Sequence, residues 1–226
     1  MADRIYTVQE CPFDDLQHVA IVITLLRERE RQQHVGILHK DESTNEVRML
    51  HLAWHHQLKN SRPKASYAWI APPIPGRRAR QVAAFCRKVC RANPAGIPYA
   101  FSAASDCFDA ETGSFLTGPH RYGLTCASFV LGVFHMVGVP LIQYGTWPAS
   151  RNGDIEWQQQ IIAQLKEDGA SPEHLQAVES EVGAVRYRPE EVAGAGIAES
   201  LPVAFAEAEP LADMVLRKLR AENLYT

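Results

Sequence analysis

Three β-rich runs lie close together near the start of the chain, and they constrain its fold more than any other feature. HVAIVITLL (His18–Leu26), HVGILHK (His34–Lys40) and VRMLHLAW (Val47–Trp54) are dense in Val, Ile, Leu and Thr, residues that fit a pleated, half-buried surface. DESTNE between the second and third is turn chemistry. RERERQQ between the first and second reads as a solvated hairpin end or strand extension. The runs therefore predict a meander of antiparallel strands. SYAWIAPP (Ser66–Pro73) is expected to add a fourth strand, ended by its prolines.

Helical patterning follows. In GRRARQVAAFCRKVCRAN, Ala79, Val82, Ala83, Cys86, Val89 and Cys90 fall on one face and most of the arginines on another, so an amphipathic helix with a solvated basic side is predicted. Cys86 and Cys90 read as core thiols, because no nearby ligands complete a metal site. RYGLTCASFVLGVFHMVG (Arg121–Gly138) is an oily helix with one thiol, Cys126, at its mouth. Beyond it, DIEWQQQIIAQLKED, SPEHLQAVESEV and PLADMVLRKLRAEN predict further helices, with Ala/Gly/Pro-rich sequence running to about Glu209 before the last. The expected fold class is α+β: an antiparallel sheet packed on the core helix that carries the Cys, with extra C-terminal helices. The expected organisation is a main domain over 1–150 and a helical extension over 151–226 packed on it.

Charge and apolar patterning narrow the function. A formal net charge of −3 over 226 residues offers no basic footprint for nucleic acid. Ala127–Ile142 is interrupted by His135, two glycines and Pro140, which leaves it short of the roughly 20 apolar residues of a membrane span. The charged N-terminus does not read as a signal peptide, and five scattered cysteines without a Cys-x-x-Cys pair read as reduced thiols. The expectation is a cytoplasmic protein, with signal-independent export and oligomeric state left open.

A cysteine at a helix N-terminus has two readings. It is a small hydrophobe filling core, or a thiol whose thiolate is favoured by unpaired N–H groups. The second needs a base and a group to orient it. His135 lies too far along the Cys126 helix, His174 falls in the tail, and His55 and His56 follow the third strand as loop residues. His120 precedes the helix and stays a candidate base. His34 opens the second strand, and Val47, Met49 and His51 alternate onto one face of the third, so adjacent strands can bring the two imidazoles together. The alternative for each is a structural, hydrogen-bonded histidine.

HVGILHKDESTNEVRMLHLAW followed by GLTCASFVLGVF resembles the circularly permuted branch of the papain-like cysteine hydrolases, which includes the lecithin–retinol acyltransferase-like proteins and bacterial permuted NlpC-type hydrolases. The resemblance covers roughly Val19–Gly138. It implies a permuted papain-like fold in which His34 is the base, His51 its orienter and Cys126 the nucleophile, with no metal or organic cofactor. A second register makes His18 the base and His34 the orienter, since HVAIVI also resembles the base strand. The Cys segment reads Leu-Thr-Cys-Ala-Ser-Phe-Val and departs from the Asn-Cys-Glu-His-Phe-Val run of the acyltransferases. The resemblance therefore implies hydrolysis of an amide (peptide, isopeptide or cell-wall peptide) through a Cys thioester before lipid ester hydrolysis or acyl transfer. The competing class is a non-catalytic binding module on the same fold, and C-terminal helices that dock a partner are compatible with either. Tyr99, Tyr122 and the Ala103–Pro119 loop are expected around the cleft.

Overall fold

The computed structural model describes residues 4–26, 32–101, 105–119 and 121–226. Arg27–Arg31 of the charged connection and His120 lie outside the described residues. The fold is α+β. Strands β1 (Val19–Leu25), β2 (Gln33–Lys40), β3 (Val47–Trp54), β4 (Gln57–Ser61) and β5 (Ala68–Ile70) form one antiparallel sheet in the order β4-β3-β2-β1-β5. Among the described residues the helices are α1 (Gly76–Ala92), α2 (Cys126–Met136), α3 (Asp154–Glu167), α4 (Pro172–Glu179), α5 (Pro189–Ile197) and α6 (Phe205–Ala221).

The sheet is apolar on both faces because both are covered. Ile21, Ile23, Val35, Ile37, Leu50 and Leu52 point into the main core with α1, α2 and α5. Ala20, Val22, Leu38 and Met49 point the other way, onto Phe13, Leu16, Tyr67 and Trp69. This is the period-2 alternation of strands with two buried sides. Helix α2 is buried from Cys126 to Phe134, and each of its large side chains contributes roughly 1.5–3 kcal/mol by leaving water. Its start is fixed by a reciprocal cap: Ser128 N–H donates to Thr125 Oγ1 (3.1 Å) and Thr125 N–H donates to Ser128 Oγ (2.8 Å).

Several elements differ from the sequence reading. The apolar run Ser66–Pro73 forms β5, but it pairs with β1 at the edge opposite β4. QLKNS, too polar to read as a strand, forms β4 because a two-residue turn at His55–His56, with His56 at φ 55°, folds it back on β3. PEEVAGAGI is not irregular but the buried helix α5. Its small residues permit a close approach to α6: a Cβ on Gly194 would stand 2.8 Å from the Ala212 backbone nitrogen. α6 starts before Pro210, since Glu207 accepts the Ala204 N–H and Thr146 accepts the Phe205 N–H at its entry. Among the described residues no helix is long and apolar enough to cross a membrane.

Candidate active site

The β1–β2 pairing sets the directions of the backbone groups in β2. Leu26 N–H donates to Gln32 O and Lys40 N–H to His18 O, so even-numbered residues of β2 bond towards β1 and odd-numbered ones towards β3. The β2–β3 ladder runs from Lys40↔Val47 to Ile37↔Leu50. The next odd residue is Val35, and its N–H is taken by the sulfur of Cys126. The tip of α2 thus meets β2 just beyond the end of the β2–β3 ladder.

His34 and His51 flank this point. Both project from the sheet face opposite α2, the face of Leu38 and Met49, and His34 Nε2 lies 2.6 Å from His51 Nδ1. Their diagonal approach depends on Gly36. A Cβ there would lie 2.9 Å from the His51 Cβ and 3.2 Å from the Leu50 carbonyl oxygen, so only glycine leaves His51 this position. Tyr67 closes the far side, its ring edge-on to His34 with centroids 6.4 Å apart.

His34 and Cys126 are walls of one open cavity of about 800 Å³, lined also by Trp54, Tyr99, Trp157 and Arg186. His51 stands behind His34, outside the lining. No hydrogen bond joins His34 to Cys126 among the described residues; both line the same cavity. The Tyr99 hydroxyl completes the site by hydrogen bonding to both the Cys126 sulfur and the Cys126 backbone N–H.

The electrostatics describe a neutral site. Burial lowers His34 to about 3, and the positive side of His51 and Lys59 adds to this. Burial, with Lys59 and Lys64 nearby, lowers His51 to about 4. Burial raises the Cys126 thiol, and the Val35 and Ala127 N–H groups, the Arg186 charge and the Tyr99 hydroxyl only partly offset it. Thiol and both imidazoles are therefore uncharged at neutral pH, and one ring donates the hydrogen bond between them that the other accepts.

The other candidates lie elsewhere. His18 sits at the far end of the β1–β2 pair, where Val19 faces His39, with Nδ1 3.6 Å from Glu42 Oε1, so the register with His18 as base lacks geometric support. His135 is 3.8 Å from Asp106. His174 and His55 bracket Tyr99: His55 Nδ1 accepts the Tyr99 N–H and His174 Nε2 donates to the Tyr99 carbonyl. Of the expected cleft residues Tyr99 lines the cavity, whereas Tyr122 and the described part of the Ala103–Pro119 loop do not; that loop is instead anchored on α1 through Asn93, which donates to Gly113 O and accepts from Phe115 N. The sequence reading missed Trp54, Trp157 and Arg186, which come from β3 and the C-terminal segments. All five cysteines are thiols, and no cluster fit for a metal occurs among the described residues.

Comparison with known proteins finds no match: no family model, no curated protein and no solved structure is similar to the chain.

Proposed function

We propose that the chain is a cysteine hydrolase of permuted papain-like architecture, acting on an amide bond through a Cys126 thioester. One observation carries this reading: a histidine held by a second histidine shares a cavity wall with a thiol at a helix N-terminus. With His34 Nε2 donating to His51 Nδ1, His34 Nδ1 is left as a base. It takes the proton from Cys126 as sulfur attacks the substrate carbonyl carbon. The oxyanion forms beside the Cys126 N–H, which has no acceptor within the helix, and beside the Tyr99 hydroxyl. Such donors typically contribute about 3 kcal/mol each. His34 then gives its proton to the leaving amine, the C–N bond breaks, and water, deprotonated by His34, hydrolyses the thioester. His51 holds the ring and its tautomer. The thiols favour a reducing compartment, the cytoplasm.

The test is acylation of Cys126 by peptide anilides and, separately, by p-nitrophenyl esters of fatty acids, followed by intact mass. A transient acyl adduct from the peptide substrate is expected, absent in Cys126→Ser and formed 10²–10⁴-fold more slowly in His34→Ala. Turnover of the lipid esters only would replace the amide reading with ester chemistry. The uncharged resting site and the missing His34–Cys126 bond favour a second reading, a binding module; equal labelling of Cys126 in wild type and His34→Ala would establish it.

A further inference from the structure

Among the described residues lining the cavity, Arg186 is the arginine, and its hydrogen bonding is thin. Three guanidiniums, from Arg151, Arg186 and Arg188, converge on the buried carboxylate of Asp154. Arg188 takes it closely, with Nη2 at 2.9 Å from Oδ1 and Nε at 3.3 Å. Arg151 reaches Oδ2 and also pairs with Glu191. Arg186 is left with a single 3.3 Å contact from Nη1 to an Oδ1 already shared with Arg188. Its Nε is buried and has no hydrogen-bond partner. Glu190, the remaining acid of the cluster, is raised by burial and by Glu191 and drawn back by Arg186 and Arg188; it acts on Arg186 through charge, with no hydrogen bond to its Nε.

The guanidinium is also held in one plane. Its central carbon lies 3.9 Å over the Trp157 ring, and both residues line the cavity with Cys126. Stacking fixes a flat, forked donor set on a side chain that keeps 12% of its surface exposed, a donor geometry suited to a carboxylate. Asp168 is the side-chain carboxylate among the described residues of the cavity wall. Its oxygens accept from Trp54 Nε1 at 2.7 Å and Gln164 Nε2 at 3.1 Å, and among the described residues no ion pair joins it to Arg186.

We infer that Arg186 is the anion-recognition point of the cavity, and that the site selects amide substrates carrying a carboxylate near the scissile carbonyl. This rests on the proposed hydrolase site and names its substrate class. The carboxylate can be the C-terminal carboxylate of a peptide or an acidic side chain; both present the same planar anion.

The experiment compares alkylation of Cys126 by iodoacetate and iodoacetamide at pH 9, scored by peptide mass. The same thiol in the unfolded chain supplies the reference ratio. The folded protein is expected to raise the iodoacetate-to-iodoacetamide ratio at least tenfold, and Arg186→Gln to return it to the reference while Arg186→Lys keeps part of it. A wild-type ratio at or below the reference overturns the inference without any variant having to fold. Competition adds a second readout on the wild type. N-acetylalanine carries a main-chain carboxylate and N-acetylglutamate α-methylamide a side-chain one; protection of Cys126 by either supports the inference, and their order assigns the source. Equal protection by the neutral N-acetylalanine methylamide overturns it. Failure of the hydrolase reading is seen separately, as His34→Ala leaving Cys126 labelling unchanged.

Discussion

Gly36→Ala tests whether the two-histidine arrangement is built into the sheet. The new Cβ would meet His51 Cβ at 2.9 Å and the Leu50 carbonyl at 3.2 Å. Neither atom is the movable end of a side chain, so β3 must shift or His51 must rotate away from His34. Overpacking at a buried position costs about 1–3 kcal/mol, or roughly 2–12 °C in Tm for a domain of this size. Thermal unfolding of the variant measures the cost. The matching functional readout is the Cys126 acylation rate, expected to fall towards that of His51→Ala. Pairing the change with His51→Gly removes the facing Cβ, so the double variant should recover most of the lost stability but none of the orienting bond. A Gly36→Ala protein as stable and as reactive as wild type would refute the reasoning.

Acid should destabilise the fold through the same pair. His34 and His51 are held near 3 and 4, below the ordinary 6.5, so the unfolded chain binds protons that the folded one refuses. Their contribution is complete above about pH 6.5 and is lost as pH falls, on the order of 2 kcal/mol for each ring at pH 5. Urea midpoints at pH 7.5 and 5 measure this; an equal acid loss in the His34→Gln, His51→Gln double variant would assign it to other groups. Tyr99→Phe removes a donor to the sulfur and to the developing oxyanion, so kcat should fall roughly 10–100-fold with KM little changed; an unchanged kcat removes Tyr99 from the chemistry. In the ligand-free protein, Cys126 alkylation should climb with a midpoint above that of the thiols in the unfolded chain, since burial outweighs the groups favouring the thiolate; a midpoint below pH 7 would contradict the uncharged site.

What the sequence made legible was local. Strands β1 to β3 follow from dense β-formers and turn residues, and α2 from its cap and apolar run. The alternation of Val47, Met49 and His51 assigned the histidine to a face before any pairing was known. The misses share a different cause. β4 is polar and exists because β3 offers it a ladder. α5 is rich in Ala and Gly, poor in helix signal, and becomes a helix because α6 and the sheet press on both its sides. Arg186 and Trp157 belong to the C-terminal segments, and nothing in their spacing from Cys126 reveals that the chain folds back over the cavity. The pairing of His34 with His51 was legible because it is a neighbour relation within a hairpin; the cavity wall was not, because it is assembled from distant pieces.

The sulfur of Cys126 has two physical roles, and they pull against each other. As acceptor of the Val35 N–H it meets β2 just beyond the β2–β3 ladder, and a buried N–H without a partner costs roughly 1–3 kcal/mol. That bond holds the tip of α2 against the sheet and fixes the sulfur beside the histidine pair. The same burial raises the thiol and lowers His34, which disfavours the charged pair that an attacking thiolate requires. A substrate that fills the cavity changes the balance only if it brings the ring and the sulfur together and stabilises the charge that develops. In the proposed chemistry that charge develops beside the Tyr99 hydroxyl and the Cys126 N–H, which already act on each other in the resting site. The uncharged resting state thus follows from the site's construction, and under the proposed hydrolase chemistry the sulfur, set against the sheet as a structural atom, would become a nucleophile only once a substrate carbonyl had entered beside it.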